Sequence, residues 1–245
     1  MDRISEMDER TAGKTIYVVG GAGGIGSAIV KKLLKENNRV LVLDLNEPAD
    51  RSCAYQHVDL TQPESISTAV SEGLKKTGTP QALIFSAGYL SPCAFLNLEN
   101  QDIEDHLKVN LFGAFNIAQE VVNLMLEDGG RIVFISSIHG QIGIPNRGAY
   151  AMSKAALGAL ARAMAVELSQ YKIRVNVLAS GAVNAGMNPD PKSRGYWCKE
   201  TPAGRVAEVE EVAQVATLLV SDQASFISGQ TIAVDGGVSN LRSYS

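Results

Sequence analysis

TIYVVGGAGGIGSAIVKKLLKEN, residues 15–37, changes its hydrophobic period part-way along. Residues 15–20 are a short β-branched and aromatic run ending in glycine, which reads as a strand. From Ile25 onward the apolar residues recur at helical spacing. Glycines at 20, 21, 23, 24 and 26 stand between the two patterns. Such a turn lets the backbone approach a pyrophosphate closely, and the helix start supplies unpaired N–H groups and a favourable dipole. A merely structural tight turn is the alternative. A turn that follows a strand and opens a helix is, however, the context a dinucleotide motif requires. Gly20, Gly24, Ile25 and Gly26 are therefore candidate cofactor contacts.

The same alternation continues outward. RVLVLDLN (39–46) and YQHVDL (55–60) read as strands, and a helix runs from Pro63 to about Lys76. ALIFSAG (82–88), GGRIVFISS (129–137), KIRVNVLAS (172–180) and TIAVDGG (231–237) are further strands. Helices are predicted over 102–126, 147–168 and 208–221, with a polar loop before the last. Apolar strands alternating with helices call for a parallel sheet covered on both faces, an α/β, Rossmann-type doubly wound fold. No linker or repeat divides the chain, so one domain is expected over 14–245, after a charged, flexible leader at 1–13 that lacks the apolar core of a signal peptide.

The 245 residues are 45% hydrophobic and 20% charged, with a net charge of −4, as in a compact globule. No basic stripe argues for nucleic acid. No apolar run is long enough for a membrane span. Cys53, Cys93 and Cys198, with His57, His106 and His139, show no metal spacing or disulfide frame, so no metal is expected and a reducing cytoplasm fits.

Asp44 ends the second strand, where a carboxylate accepts from the adenosine ribose hydroxyls and repels a 2′-phosphate. This favours NAD over NADP. Asp59 closes the next strand, either reaching the adenine edge or forming a turn before Thr61. At the other end, Ser136 and Ser137 close a strand, Tyr150 follows thirteen residues after Ser137, and Lys154 stands four later on one helix face. Asn110 lies mid-helix in the apolar KVNLFGAF and needs hydrogen-bond partners; a helix-bending side chain satisfied locally is its other reading. Hydride transfer at a carbonyl carbon requires a proton transfer at its oxygen. Free tyrosine, with a pKa near ~10, becomes a usable base beside an ammonium and an oxidised nicotinamide.

With GGAGGIG (20–26), VDL (58–60), AG (87–88), VNLFGAF (109–115), ISS (135–137), YAMSK (150–154), VNVL (175–178) and GQTIAVDGG (229–237), the chain resembles the short-chain dehydrogenase/reductase family from about Lys14 to Gly237. The resemblance implies a catalytic tetrad of Asn110, Ser137, Tyr150 and Lys154. Lys154 would also hold the nicotinamide ribose, Ser137 the substrate oxygen, and Asn110 a water linking Lys154 to solvent. It adds Leu60, Ala87, Gly88, Gly181 and Val183 to the cofactor contacts, and a homotetramer as the common state. Val19, Phe85, Ser86, Ser180 and Ala185 depart from the family pattern. The first three concern support of the cofactor loops and the last two nicotinamide placement.

Substrate groups should come from the segments flanking the tetrad. His139, Gln141, Asn146 and Arg147 supply hydrogen-bonding groups near Tyr150. Lys192 and Arg194 lie in a polar segment, 184–200, expected to act as a substrate lid. A short polar lid suits a small polar, cyclic or hydroxylated secondary alcohol or ketone. The short stretch between Asp44 and Asp59 lacks a helix and is similar to compact family members that oxidise cyclohexadiene- or cyclohexanol-type carboxylates. Two other readings stand beside this one. A 3-oxoacyl-thioester reductase using NADPH shares the fold, and a nucleotide-binding scaffold would sense NAD without turnover.

Overall fold

The computed structural model describes residues 13–185 and 191–240. Seven strands form one parallel sheet: β1 (Thr15–Val19), β2 (Arg39–Asp44), β3 (Ala54–His57), β4 (Ala82–Phe85), β5 (Gly130–Ser137), β6 (Ile173–Ser180) and β7 (Thr231–Val234). Their order is β3-β2-β1-β4-β5-β6-β7, and every neighbouring pair is parallel. The doubly wound sheet read from the sequence is the one observed. The order reverses between β1 and β4, so the crevice beyond their carboxyl ends is the place for a ligand.

The strands are apolar throughout because both faces are covered. Tyr17 and Val19 of β1 pack with Leu41, Leu83 and Phe134 beneath α2 (Pro63–Thr77), α4 (Gly113–Met125) and α5 (Gly148–Glu167). Ile16 and Val18 point the other way, with Val42 and Ile84, beneath α1 (Gly24–Lys35) and α7 (Val209–Val220). Alternate residues of one strand thus serve two cores.

Two elements differ from expectation. The helix predicted over 102–126 is three pieces: α3 (Asn100–Leu107), a π-helical turn over Lys108–Phe112, and α4. The widened turn carries the buried Asn110, and π turns are frequent where a helix must present a functional group. The segment 184–200 is not wholly loop, because Pro191–Glu200 forms a helix, α6. Its Trp197 is buried with Ile138 and Val206, and that apolar seat holds an otherwise polar segment in place. Of the leader expected over 1–13, residues 1–12 lie outside the described residues, as do residues 186–190 of the segment expected to act as a lid.

Candidate active site

A cavity of about 1050 Å³ runs along the carboxyl ends of the strands. Its far end is the glycine turn. Gly20 has φ +76, and a Cβ there would lie 2.5 Å from the Ala87 nitrogen. A Cβ on Gly26 would lie 2.0 Å from the Gly20 carbonyl oxygen. These glycines allow β1, the turn and α1 to close on one another. Gly23 caps α1 without a side-chain hydrogen bond, and no acidic residue stands in the first turn. The helix therefore keeps its N-terminal donors for a ligand, a donor set that fits a pyrophosphate. Gly26→Ala is expected to cost about 1–3 kcal/mol, a Tm loss of roughly 2–4 °C per kcal/mol in a chain of this size, and to weaken dinucleotide binding. Thermal unfolding with and without the dinucleotide checks both.

Asp44 lies at the rim of the turn. Its Oδ2 accepts from the Ala22 N–H at 3.0 Å and its Oδ1 from the Asn46 N–H at 3.0 Å. Each oxygen keeps a lone pair for a ribose hydroxyl. Asp59 Oδ1 accepts from the Thr61 N–H at 2.9 Å and from Thr61 Oγ1 at 2.7 Å, which realises the turn-forming reading and lowers its pKa. Gly20, Gly24, Ile25, Gly26, Asp44, Asp59, Leu60, Ala87, Gly88, Gly181 and Val183 all line the cavity. Ser86, Ser180 and Ala185 do as well. Arg51 was not anticipated; it lines the same end and is ion-paired with Glu47.

At the near end, β5 and α5 bring Ser137, Tyr150 and Lys154 together. Ser136 Oγ donates to the Lys154 carbonyl at 2.8 Å, joining the strand to the helix. Ser137 and Tyr150 line the cavity, whereas Lys154 lies buried behind Tyr150. Its ammonium is 5.8 Å from the Tyr150 ring centroid and donates to the Ile135 carbonyl at 3.0 Å. Burial lowers its pKa from 10.5 to about 8. Burial likewise raises the Tyr150 phenol above its ordinary 10, against the Ser137 hydroxyl and the Arg147 charge, which pull it down. The phenol is therefore protonated at neutral pH.

Asn110 is close by but does not reach the cavity. Its Oδ1 accepts from the Tyr89 N–H at 2.7 Å, and its Nδ2 donates to the Tyr89 carbonyl and to Ser153 Oγ, both at 2.9 Å. Ser153 Oγ in turn donates to the Tyr150 carbonyl at 2.8 Å. Both amide hydrogens are committed, and Oδ1 already accepts one hydrogen bond. The side chain anchors the loop after β4 to α5. His106, which carried no sequence signal, does similar work: it is fully buried, and Nε2 accepts from the Ser91 N–H at 3.1 Å.

The substrate expectations divide. His139 and Arg147 line the cavity. Gln141, Asn146 and Arg194 are exposed and do not. The Lys192 side chain lies outside the described residues. The His139 ring lies edge-on to Tyr150, with centroids 5.8 Å apart, and stacks on Trp197 at 5.8 Å. Trp197 and Tyr196 of α6 also line this end.

A family model described as Enoyl-(Acyl carrier protein) reductase matches residues 20–239. A short-chain dehydrogenase/reductase from Serratia marcescens has a solved structure that superposes with TM-score 0.86, at 30% identity, covering 94% of this chain and 99% of that one. The chain belongs to the short-chain dehydrogenase/reductase family. It is a dehydrogenase/reductase by that membership, and the scaffold reading falls away. Among family relatives, the 3-oxoacyl-[acyl-carrier-protein] reductase MabA of Mycobacterium bovis is 32% identical, with 92% of each chain covered. The trans-4-hydroxycyclohexanecarboxylate dehydrogenase of Sinomonas cyclohexanicum is 31% identical, with 96% of each covered. The ligand-free aldohexose dehydrogenase of Thermoplasma acidophilum superposes with TM-score 0.90 at 26% identity, over 96% of this chain and 98% of that one.

Proposed function

We propose that this enzyme uses NAD to interconvert a small, polar, cyclic secondary alcohol and its ketone. The observation that carries the reading is the placement of the Tyr150 phenol beside Ser137, at the end of a cavity whose other end is the glycine turn. The nicotinamide, when bound, supplies or takes the hydride. Tyr150 takes the alcohol proton or returns it to the ketone oxygen. Ser137 Oγ accepts the His139 N–H at 3.2 Å, and its hydroxyl, which bonds Tyr150, would turn its hydrogen to the substrate oxygen when substrate is bound. The Arg147 charge favours the phenolate, and the Lys154 ammonium, 5.8 Å from the ring, and the positive charge of the oxidised cofactor would act in the same direction, against the burial that opposes ionisation. Asn110 acts through position, by tying the loop after β4 to α5.

Asp44 supports NAD, and the aromatic and apolar groups His139, Trp197 and Ile144 walling the cavity end support a ring. The Sinomonas relative acts on such a ring by its name. A tetramer fits Phe112, Phe115 and Met152, large apolar side chains left exposed on the π turn, α4 and α5. The 3-oxoacyl reductase reading with NADPH has one observation of its own: Arg51, if it left Glu47, would face a 2′-phosphate. Calorimetric titration of NAD and NADP into the purified protein separates the two. NAD should bind about 100-fold more tightly, the scale of a like-charge clash at Asp44, and Asp44→Asn should erase most of that difference. Tighter binding of NADP would overturn the NAD reading.

A further inference from the structure

Among the described residues, two buried side-chain polar atoms lack any hydrogen-bond partner: His139 Nδ1 and Arg147 Nε. Buried donors and acceptors are almost always paired, and both of these belong to residues lining the same end of the cavity, next to Tyr150. A ligand is the natural missing partner.

Arg147 is built into place. Asn146 before it has φ +62, a left-handed conformation that Asn tolerates better than most residues and that is common at functional turns. The Asn146 carbonyl accepts the Cys93 N–H at 3.1 Å, and Arg147 forms a parallel bridge with Cys93. The backbone of Arg147 is thus tied to the loop after β4. Among the described residues its side chain makes no ion pair and a single hydrogen bond, from Nη1 to the Asn146 carbonyl, long at 3.4 Å. It also occupies the N-cap of α5, the positive end of a twenty-residue helix, where a cation is disfavoured and an anion is favoured. His139 adds no competing charge. Burial, with Arg147 beside it, lowers its pKa to about 4, so it is a neutral hydrogen-bonding ring at physiological pH.

We propose that the substrate carries a carboxylate, received by the Arg147 guanidinium with His139 alongside, while the alcohol oxygen lies at Tyr150 and Ser137. A planar guanidinium matches a carboxylate through two parallel N–H donors. The hydroxyl and the carboxylate would then be held on one small ring by groups at the same cavity end. This inference rests on the functional reading above only for the identity of the reacting group.

Trp197 is the single tryptophan of the chain and stacks on His139, so its fluorescence reports occupancy without turnover. The probe is cyclohexanecarboxylate, which lacks the reacting hydroxyl, titrated in the presence of NAD. Saturable binding is expected, weakened about 10- to 100-fold in Arg147→Gln, the scale of losing a charged hydrogen-bond partner. Arg147→Lys, which keeps the charge without the fork, should lie between the two. Three results would overturn the proposal: equal affinity for cyclohexanecarboxamide, no change in Arg147→Gln, or stronger displacement by inorganic phosphate than by the acid. Turnover separates this idea from the functional reading. Oxidation of cyclohexanol with no preference for its 4-carboxylate counterpart would sink the carboxylate site and leave the functional reading standing. Arg147-dependent carboxylate binding without turnover of any alcohol or ketone would do the reverse.

Discussion

Tyr150→Phe is expected to lower turnover about 10²- to 10⁴-fold in both directions, the range supplied by a positioned proton-transfer group, while dinucleotide binding and Tm stay close to wild type. The phenol is buried, and among the described residues no other group stands ready to replace its oxygen. Ser137 is an aliphatic hydroxyl, and His139 meets the Tyr150 ring edge-on rather than through a hydrogen bond. Removing one oxygen keeps the ring, and with it the contacts to His106 at 6.3 Å and His139 at 5.8 Å, so the packing survives. The pH dependence follows from the same environment. Burial raises the phenol pKa, so the protonated form needed for ketone reduction persists through neutral pH. Alcohol oxidation needs the phenolate, and its kcat/KM should rise with pH. Steady-state rates of the variant, with wild-type pH profiles in each direction, check both statements. A variant that keeps a tenth or more of wild-type turnover would remove Tyr150 from its role.

Lys154→Met is expected to produce two opposed effects: turnover falls about 100-fold or more, and the protein becomes more stable at neutral pH. Lys154 is only 5% exposed, and its ammonium has one hydrogen bond, to the Ile135 carbonyl, with no carboxylate in ion-pair reach among the described residues. The drop from 10.5 to about 8 means that the folded chain disfavours the charged form by roughly 3 kcal/mol. The unfolded chain binds the extra proton between about pH 8 and 10.5, so wild-type stability at this site rises with pH across that window. Methionine keeps the stem and removes the charge, at the cost of about 1 kcal/mol for the lost hydrogen bond. A net gain of about 1–2 kcal/mol is a Tm increase of several degrees at pH 7. The gain should shrink as the pH rises past 8. Thermal melts of both proteins at pH 7 and pH 9 measure it, and a variant less stable than wild type at pH 7 would contradict the buried-charge account. A functional residue that destabilises its own fold is the usual exchange of stability for activity.

Local chemistry made much of this protein legible in its sequence. The glycine turn could be read because Gly20 and Gly26 answer to demands met within a few residues, a positive φ and the closing of a helix onto its own strand. Tyr150 and Lys154 could be read because four residues on a helix is one turn, whatever surrounds it. The apolar strands alternating with helices specified a covered parallel sheet, and the sheet set Ser137 and Asp44 at the same edge.

Other features came from residues distant in sequence. His139 and Arg147 face the cavity while Gln141 and Asn146 of the same loop face water. That division depends on the bridge from Cys93 and the left-handed turn at Asn146. Residues 191–200 carry a weak helical pattern; they form α6 around a tryptophan whose seat is made by Ile138 and Val206. Asn110 was visible as a buried polar residue, but its partners, Tyr89 and Ser153, are supplied by two other elements. Sequence by itself therefore determined the fold, the position of the glycine turn on it and the Tyr150–Lys154 spacing, because backbone geometry and helical spacing are local. Tertiary structure alone decided which polar groups are buried without partners, because burial and hydrogen bonding depend on what the rest of the chain brings beside them.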